Sequence, residues 1–329
     1  MRVKFIISIM ICVTMVFGAL IMKSNEAIGS SKEALIVKHV KSGPSGLDDA
    51  VWEKAKGIIV PFDGKEKFAG KKATVSTKAV YTGDDIYFLF KWSDATKSVV
   101  KGAWQYDGEK WNHQKGNEDR ISMLFEIDRI NNFATKGCAI VCHVPSGESN
   151  AKNGKFGTTT AAEKGDLWHW KAARSDPAGF ADDTWLTKIG EKGGGRKSDA
   201  GKGGDQKNIT EDKSKPKYML APGKKLAKDG IMLASDTVEI SDYSIFKAGD
   251  TFTYRMPKQP EGSRADIKSM SRYADGGWTV LLHRKLDTGN EDDVAFNTRK
   301  KYNFALALFD DSGDENSYDS EIISLSFKR

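Results

Sequence analysis

The sequence predicts an all-β protein, an antiparallel β-sandwich with long loops and few short helices. Two observations carry the prediction. Segments that alternate apolar and polar residues recur in pairs, each pair joined by a turn or a polar loop. No apolar period of 3.6 residues is sustained in the body of the chain, as a helical protein would need. No internal repeat divides its 329 residues into copies.

Ala34 to Val40 alternates loosely and reads as a first strand. Leu47 to Trp52 reads as a short helical turn with Trp52 packed inward. Lys72 to Trp92 is the clearest local structure. Val75, Thr77, Ala79 and Tyr81 share one face, and Ile86, Phe88, Phe90 and Trp92 share another. Thr82-Gly83-Asp84-Asp85 turns between them, which makes a β-hairpin. Ile121, Met123, Phe125 and Ile127 repeat the period of two. Asp166 to Lys171 is a further strand, with its tryptophans on one face and His169 on the other. Between Gly190 and Lys217 apolar residues nearly vanish, which predicts a polar, Gly/Lys-rich loop insertion over 190–217. Strands resume near Ile231. Ala265 to Arg272 and Trp278 to Leu286 flank Ala274-Asp275-Gly276-Gly277, a second hairpin. Asn303 to Phe309 and Glu321 to Phe327 make a third pair across the acidic loop Asp310 to Ser320. That loop has carboxylates suited to calcium but lacks the EF-hand spacing.

The chemistry concentrates at Gly137-Cys138-Ala139-Ile140-Val141-Cys142-His143. Cys12 lies in the apolar N-terminal run, so Cys138 and Cys142 are the remaining thiols of the three. They stand four apart with a histidine directly after the second, one residue longer than the Cys-x-x-Cys-His signature of covalent haem attachment. Two thiolates can add to the two haem vinyls, and the adjoining imidazole can ligate the iron from one face. Two other readings of the pair stay open. One is a local disulfide in an exported protein. The other is part of a zinc site, which would want four ligands and lacks a second close pair here.

Residues 1–29 read as a signal peptide. Arg2 and Lys4 give a basic start, Phe5 through Met22 is almost wholly apolar, and Ala27-Ile28-Gly29 offers small residues where a signal peptidase inspects. The apolar run stands at the lower limit of about 18 residues for a spanning helix, so membrane attachment follows only if the segment is retained. Either way the body of the protein is exported, to the periplasm or an equivalent compartment. The formal net charge of +6 is small for this length, and its basic residues are mixed with acidic ones, which excludes nucleic acid as a partner. There is no Ser-His-Asp pattern, no paired-carboxylate motif in a helical frame and no nucleotide fingerprint, so the chain is not expected to be an enzyme.

Taken in order, several pieces resemble one family. They are Thr82 to Asp85, Glu118-Asp119-Arg120-Ile121, the cysteine motif, Asp166 to Lys171, Gly195 to Gly201, Pro216-Lys217-Tyr218-Met219, Gly276-Gly277-Trp278, Asp292-Asp293-Val294 and Phe304 to Asp310. In this they are similar to the haem-binding subunits of the ethylbenzene dehydrogenase γ-subunit type. Those accompany molybdenum enzymes of the dimethyl-sulfoxide-reductase superfamily, including nitrite oxidoreductases. The resemblance implies that residues 30–329 form one β-sandwich domain with a single haem clasped between loops at its edge. It implies one covalent haem c on Cys138 and Cys142 with His143 as proximal iron ligand. It further implies single-electron transfer to or from an iron–sulfur subunit, with the molybdenum subunit and copies of the chain itself as further partners. Family members carry a second ligand in a late loop, where Asn316 stands here. Asn is a poor ligand for haem iron, which leaves Met219 or His169 for the far face, or His169 for a haem propionate. Two alternatives remain. One is an assembly paralogue that keeps its haem as a staple. The other is a carbohydrate- or ligand-binding sandwich, suggested by the eight tryptophans.

Overall fold

A computed structural model describes residues 34–64, 68–137, 141, 156–190, 195–313 and 318–329. The N-terminal segment 1–29, Cys138, Cys142, His143 and Asn316 lie outside the described residues.

β1 (Leu35–His39) is followed by a 3-10 turn at Ala50–Lys54, N-capped by Asp49, whose carboxylate accepts from Val51 N at 2.9 Å. Trp52 is buried there, as the sequence predicts. β2 (Ile58–Gly64) leads to the predicted hairpin of β3 (Lys72–Tyr81) and β4 (Asp85–Ser93). β5 (Ala103–Tyr106) and β6 (Trp111–Gln114) form a small hairpin, and β7 (Glu118–Asp128) returns to the main body. A single-turn helix, α1 (Phe133–Lys136), is the only α-helix among the described elements. β8 (Lys164–Lys171) and β9 (Asp182–Leu186) extend the sheet to an edge strand, β10 (Arg196–Ser198). β11 (Gly201–Lys207), β12 (Tyr218–Leu220), β13 (Thr237–Glu239), β14 (Thr251–Thr253) and β15 (Arg255–Gly262) build outlying ribbons. The second predicted hairpin is β16 (Lys268–Ala274) with β17 (Gly277–Lys285), and the third pair is β18 (Lys301–Ser312) with β20 (Ile323–Lys328), with the short β19 (Tyr318–Ser320) between.

Thirteen strands share one curled sheet that folds into two facing layers. β10-β9-β8-β7-β18 form one layer and β2-β3-β4-β17-β16 the other, joined through β19 and through β20 and β1. The period of two turns Ile121, Met123 and Phe125 of β7 and Trp168 and Trp170 of β8 inward. They meet Phe88, Phe90 and Trp92 of β4 and Trp278 of β17: Phe88 packs edge-on against Trp168 at 5.8 Å, and Trp170 against Trp278 at 5.0 Å. The sandwich is as predicted, with one departure from antiparallel order. β1 lies parallel to both β20 and β3, which closes the seam between the layers.

The outer faces carry smaller clusters. Trp52, Val51 and Leu47 cover Val80, Leu89 and Leu281 on one layer. Phe133, Ile130 and Val141 cover Leu124, Ala305 and Leu186 on the other.

The predicted loop over 190–217 needs correction. β10 pairs with β9, and β11 pairs with β15 over almost its whole length. Apolar content misleads here because β11 is held by backbone bonds and by close approach. Gly203 has φ +91°, sits at a bulge in the ladder, and lies where any Cβ would run into Gln259 O and Pro260.

Candidate haem-attachment site

The described residues that flank the cysteines, Gly137 and Val141, lie on the outer face of the β9-β8-β7-β18 layer, and the sequence shows how this stem is fixed. After β7 the chain turns sharply. Glu126 accepts from Ile130 N at 2.8 Å, and Glu163 accepts from Asn131 N, Thr159 N and Thr160 N. Burial would push the Glu163 carboxyl up, but these donors outweigh it and hold it down at about 2, so it stays ionised as a clamp. Asn132 adopts a left-handed conformation at φ 63°, tolerable for Asn, and opens α1. Gly137 closes α1 at φ 56° and packs on Ala305 and the Ile322 backbone. Cys138 follows at once. Val141, directly before Cys142, is buried among Leu124, Leu186 and Ala305, and its carbonyl accepts from Gly157 N at 3.2 Å. The returning arm is tied at Thr158, whose N donates to Thr187 O at 2.8 Å.

Beside this stem, on the same face, the strands carry small side chains. Ser122 stands opposite both Ala307 on β18 and His169 on β8, and Ala305 stands opposite Leu124. Beyond them lies a basic cluster. His169 is 2% exposed. Arg196 Nη2 stands 3.2 Å from its Nδ1. A guanidinium only donates, so Nδ1 accepts, and the neutral ring carries its proton on Nε2. Among the described residues Nε2 has no hydrogen-bond partner. Burial, then Lys171, Arg196, Arg120 and Arg174, push the ring's pKa well below its usual value and keep it neutral. Lys171 pairs with Asp182, which Arg264 also reaches at 2.7 Å, and Arg174 pairs with Glu118. Burial brings the Lys171 ammonium down to about 8. The arrangement offers an Nε2–H donor among cations, which suits a carboxylate better than a metal ion.

Met219 is elsewhere. It occupies the middle of β12 rather than a free loop, opposite Val238. Its ribbon is fastened through Asn208, whose Oδ1 accepts from Tyr218 N at 2.7 Å and whose carbonyl accepts from Trp104 Nε1 at 2.6 Å. Met219 is not among the residues packed with Val141, nor in the main core. The structure therefore brings His169 to the same outer face as the cysteine stem and does not bring Met219 there. Sequence reasoning missed Arg120, Lys171 and Arg196. Charged residues at outward strand positions read as solvent-facing, and only their adjacency to His169 across three strands reveals the cluster.

Residues 49–321 match the family described as "Ethylbenzene dehydrogenase". No curated protein matches the chain. Among solved structures, similarity extends to a putative carbohydrate-binding protein from Bacteroides uniformis. The identity is 10%, over 91% of this chain and 99% of that one, with a TM-score of 0.36. A carbohydrate binding module of family 9 from Caldicellulosiruptor kristjanssonii, in complex with glucose, is similar at 9% identity. It covers 90% of this chain and 96% of that one, also with a TM-score of 0.36. Likeness at that level carries no argument about binding.

Proposed function

This chain belongs to the ethylbenzene dehydrogenase family, and we propose that it is an exported haem c subunit that passes single electrons to or from the iron–sulfur subunit of a molybdoenzyme complex. One observation carries the reading. Gly137 and Val141, which bracket Cys138, pack on the outer face that also holds His169, whose Nε2 has no partner among the described residues. Small residues, Ser122, Ala305 and Ala307, line that face between the stem and the basic cluster.

In this reading Cys138 and Cys142 would hold one haem covalently, and His143 would ligate its iron. The haem supplies one-electron chemistry. The chain's own residues bind and orient it. The clamped stem fixes the attachment point, and His169 Nε2–H, with Arg196 behind it, receives a propionate. Met219, whose ribbon is fastened to Trp104 through Asn208, would not be among the residues that hold the haem. In the complex the chain acts as an accessory subunit rather than as a catalyst.

Intact mass of the denatured protein tests the proposal, beside a peroxidase haem stain and oxidised and reduced visible spectra. A mass one haem above the polypeptide, lost in the Cys138→Ser, Cys142→Ser double variant, supports it. A mass two hydrogens below the reduced chain with no visible absorption would show a disulfide and overturn it.

A further inference from the structure

A second constellation lies between the two layers, away from the cysteine stem. Asp166 on β8 and Asp183 on β9 both face inward, and Asp293 follows β17. One carboxylate oxygen from each lies within 4.8 Å of the others. Asp166 and Asp183 are fully buried, and Asp293 is nearly so. Arg284 reaches into the group from the opposite layer. Its Nη1 donates to Asp166 Oδ2 at 2.7 Å and to Asp293 Oδ1 at 2.6 Å. Val294 N also donates to Asp166 Oδ2, and Thr288 Oγ1 donates to Asp293 Oδ2. Asp293 is thus satisfied on both oxygens, and Asp166 on one.

Asp199, just past β10, is a separate and stronger sign. It is 2% exposed, and its side chain faces Asp183. Both of its oxygens, both oxygens of Asp183 and Asp166 Oδ1 have no hydrogen-bond partner among the described residues. Among the described residues these five oxygens on three buried side chains meet no backbone or cationic donor, and Asp183 and Asp199 face only each other, although such groups are costly to bury unpaired. Arg284 supplies one positive charge against four carboxylates. The shortfall is in positive charge, and the free atoms are all hard oxygens.

We propose that the group of Asp166, Asp183 and Asp293 holds a calcium ion between the layers of the sandwich, with Asp199 beside Asp183 at its β10 edge. Calcium takes six to eight oxygen ligands, accepts bidentate carboxylates and tolerates irregular geometry. Magnesium, which keeps several of its waters, suits a surface site better than this one. Soft-metal ligands are lacking among the three donors. An open pocket lined by Ser198, Ala200, Trp185 and Asp292 lies beside Asp199 and provides access. The ion ties β8 and β9 to the segment after β17, and Asp199 brings the β10 edge beside it. Without the ion, burial followed by Asp166, Asp292 and Asp293 holds the Asp199 carboxyl up at about 8, and burial followed by Asp166 raises that of Asp183 well above its usual value.

The test uses the whole purified chain. Elemental analysis after desalting counts metal, and melting is followed in chelator, in calcium and in magnesium. One calcium per chain is expected. Its removal lowers the melting temperature, and calcium, but not equimolar magnesium, restores it. The Asp183→Asn, Asp199→Asn variant should hold no calcium and melt independently of it. Asp94→Asn, in the separate acidic group of Asp94, Asp119 and Asp310, should keep both properties. A wild-type chain that holds no calcium and whose melting ignores millimolar calcium overturns the proposal, whether or not the double variant folds. So does a double variant that keeps its calcium, or loss of the ion in Asp94→Asn alone.

Discussion

The imidazole of His169 lies nearly flat against the ring of Phe309, with centroids 5.2 Å apart and planes 30° apart, and Arg120 lies over the same Phe309 ring at 3.9 Å. With Arg196 on Nδ1, the histidine is fixed in plane and in tautomer, and its Nε2–H has no partner among the described residues. His169→Ala is therefore expected to leave the Soret position and carbon monoxide binding of the haem protein as in wild type. The reduction potential should fall, because a propionate that loses its donor favours the ferric state. A change of spin state in the variant would instead put His169 on the iron.

The parts of the fold legible in the sequence are those that depend on neighbours along the chain. The β3–β4 and β16–β17 hairpins announce themselves because alternation and turn residues fall within one short stretch. The parallel insertion of β1 between β20 and β3 is not legible, because it joins the two ends of the described chain. Of the candidate site, the cysteine motif is plain, and so is the inward–outward split that sets His169 opposite Trp168 and Trp170. The cations around His169 are hidden by the assumption that outward means wet. Asp199 and Asp183 are hidden for a related reason: single acidic residues read as surface until three strands bring them together.

Gly203 is where the misread segment is most exposed to test. Its φ of +91° and its approach to Gln259 O both exclude a side chain. Gly203→Ala should destabilise the protein by about 1–3 kcal/mol in chemical denaturation and detach β11 from β15. Amide exchange along 201–207 would report the detachment. Wild-type protection in the variant would mean the bulge is not needed for the ladder.

Among the described residues Arg284 is the cation inside the acidic group, fully buried and 4.7 Å over Trp168. Arg284→Met keeps volume and removes the donor to Asp166, Asp293 and Val294 O. Uncompensated buried carboxylates follow, at a cost of about 3–5 kcal/mol. Denaturant midpoints of the two proteins measure it. A loss below about 1 kcal/mol would show that the carboxylates are already neutralised without the guanidinium.

Asp199 gives the last prediction, for the chain in chelator. Its folded-state pKa stands at about 8, raised by burial first and then by Asp166, Asp292 and Asp293. The unfolded value is about 3.9. Between those two values the folded chain keeps a proton that the unfolded chain gives up, so stability falls as pH rises through the window. The contribution is full below about pH 4 and gone above about pH 8. Asp183, Asp166 and the permanently charged Arg284 face the same space, and the titration of the two carboxyls also shapes the absolute curve. The comparison with Asp199→Asn isolates one group, since the amide cannot ionise. Melting temperature should therefore fall more steeply between pH 5 and pH 8 in wild type than in Asp199→Asn, with the variant the more stable of the two at pH 8. In calcium the order should reverse, because the ion stabilises the ionised form that only wild type can offer. Parallel curves in chelator would mean that Asp199 ionises normally and that its burial is compensated by a partner the carboxylate already has.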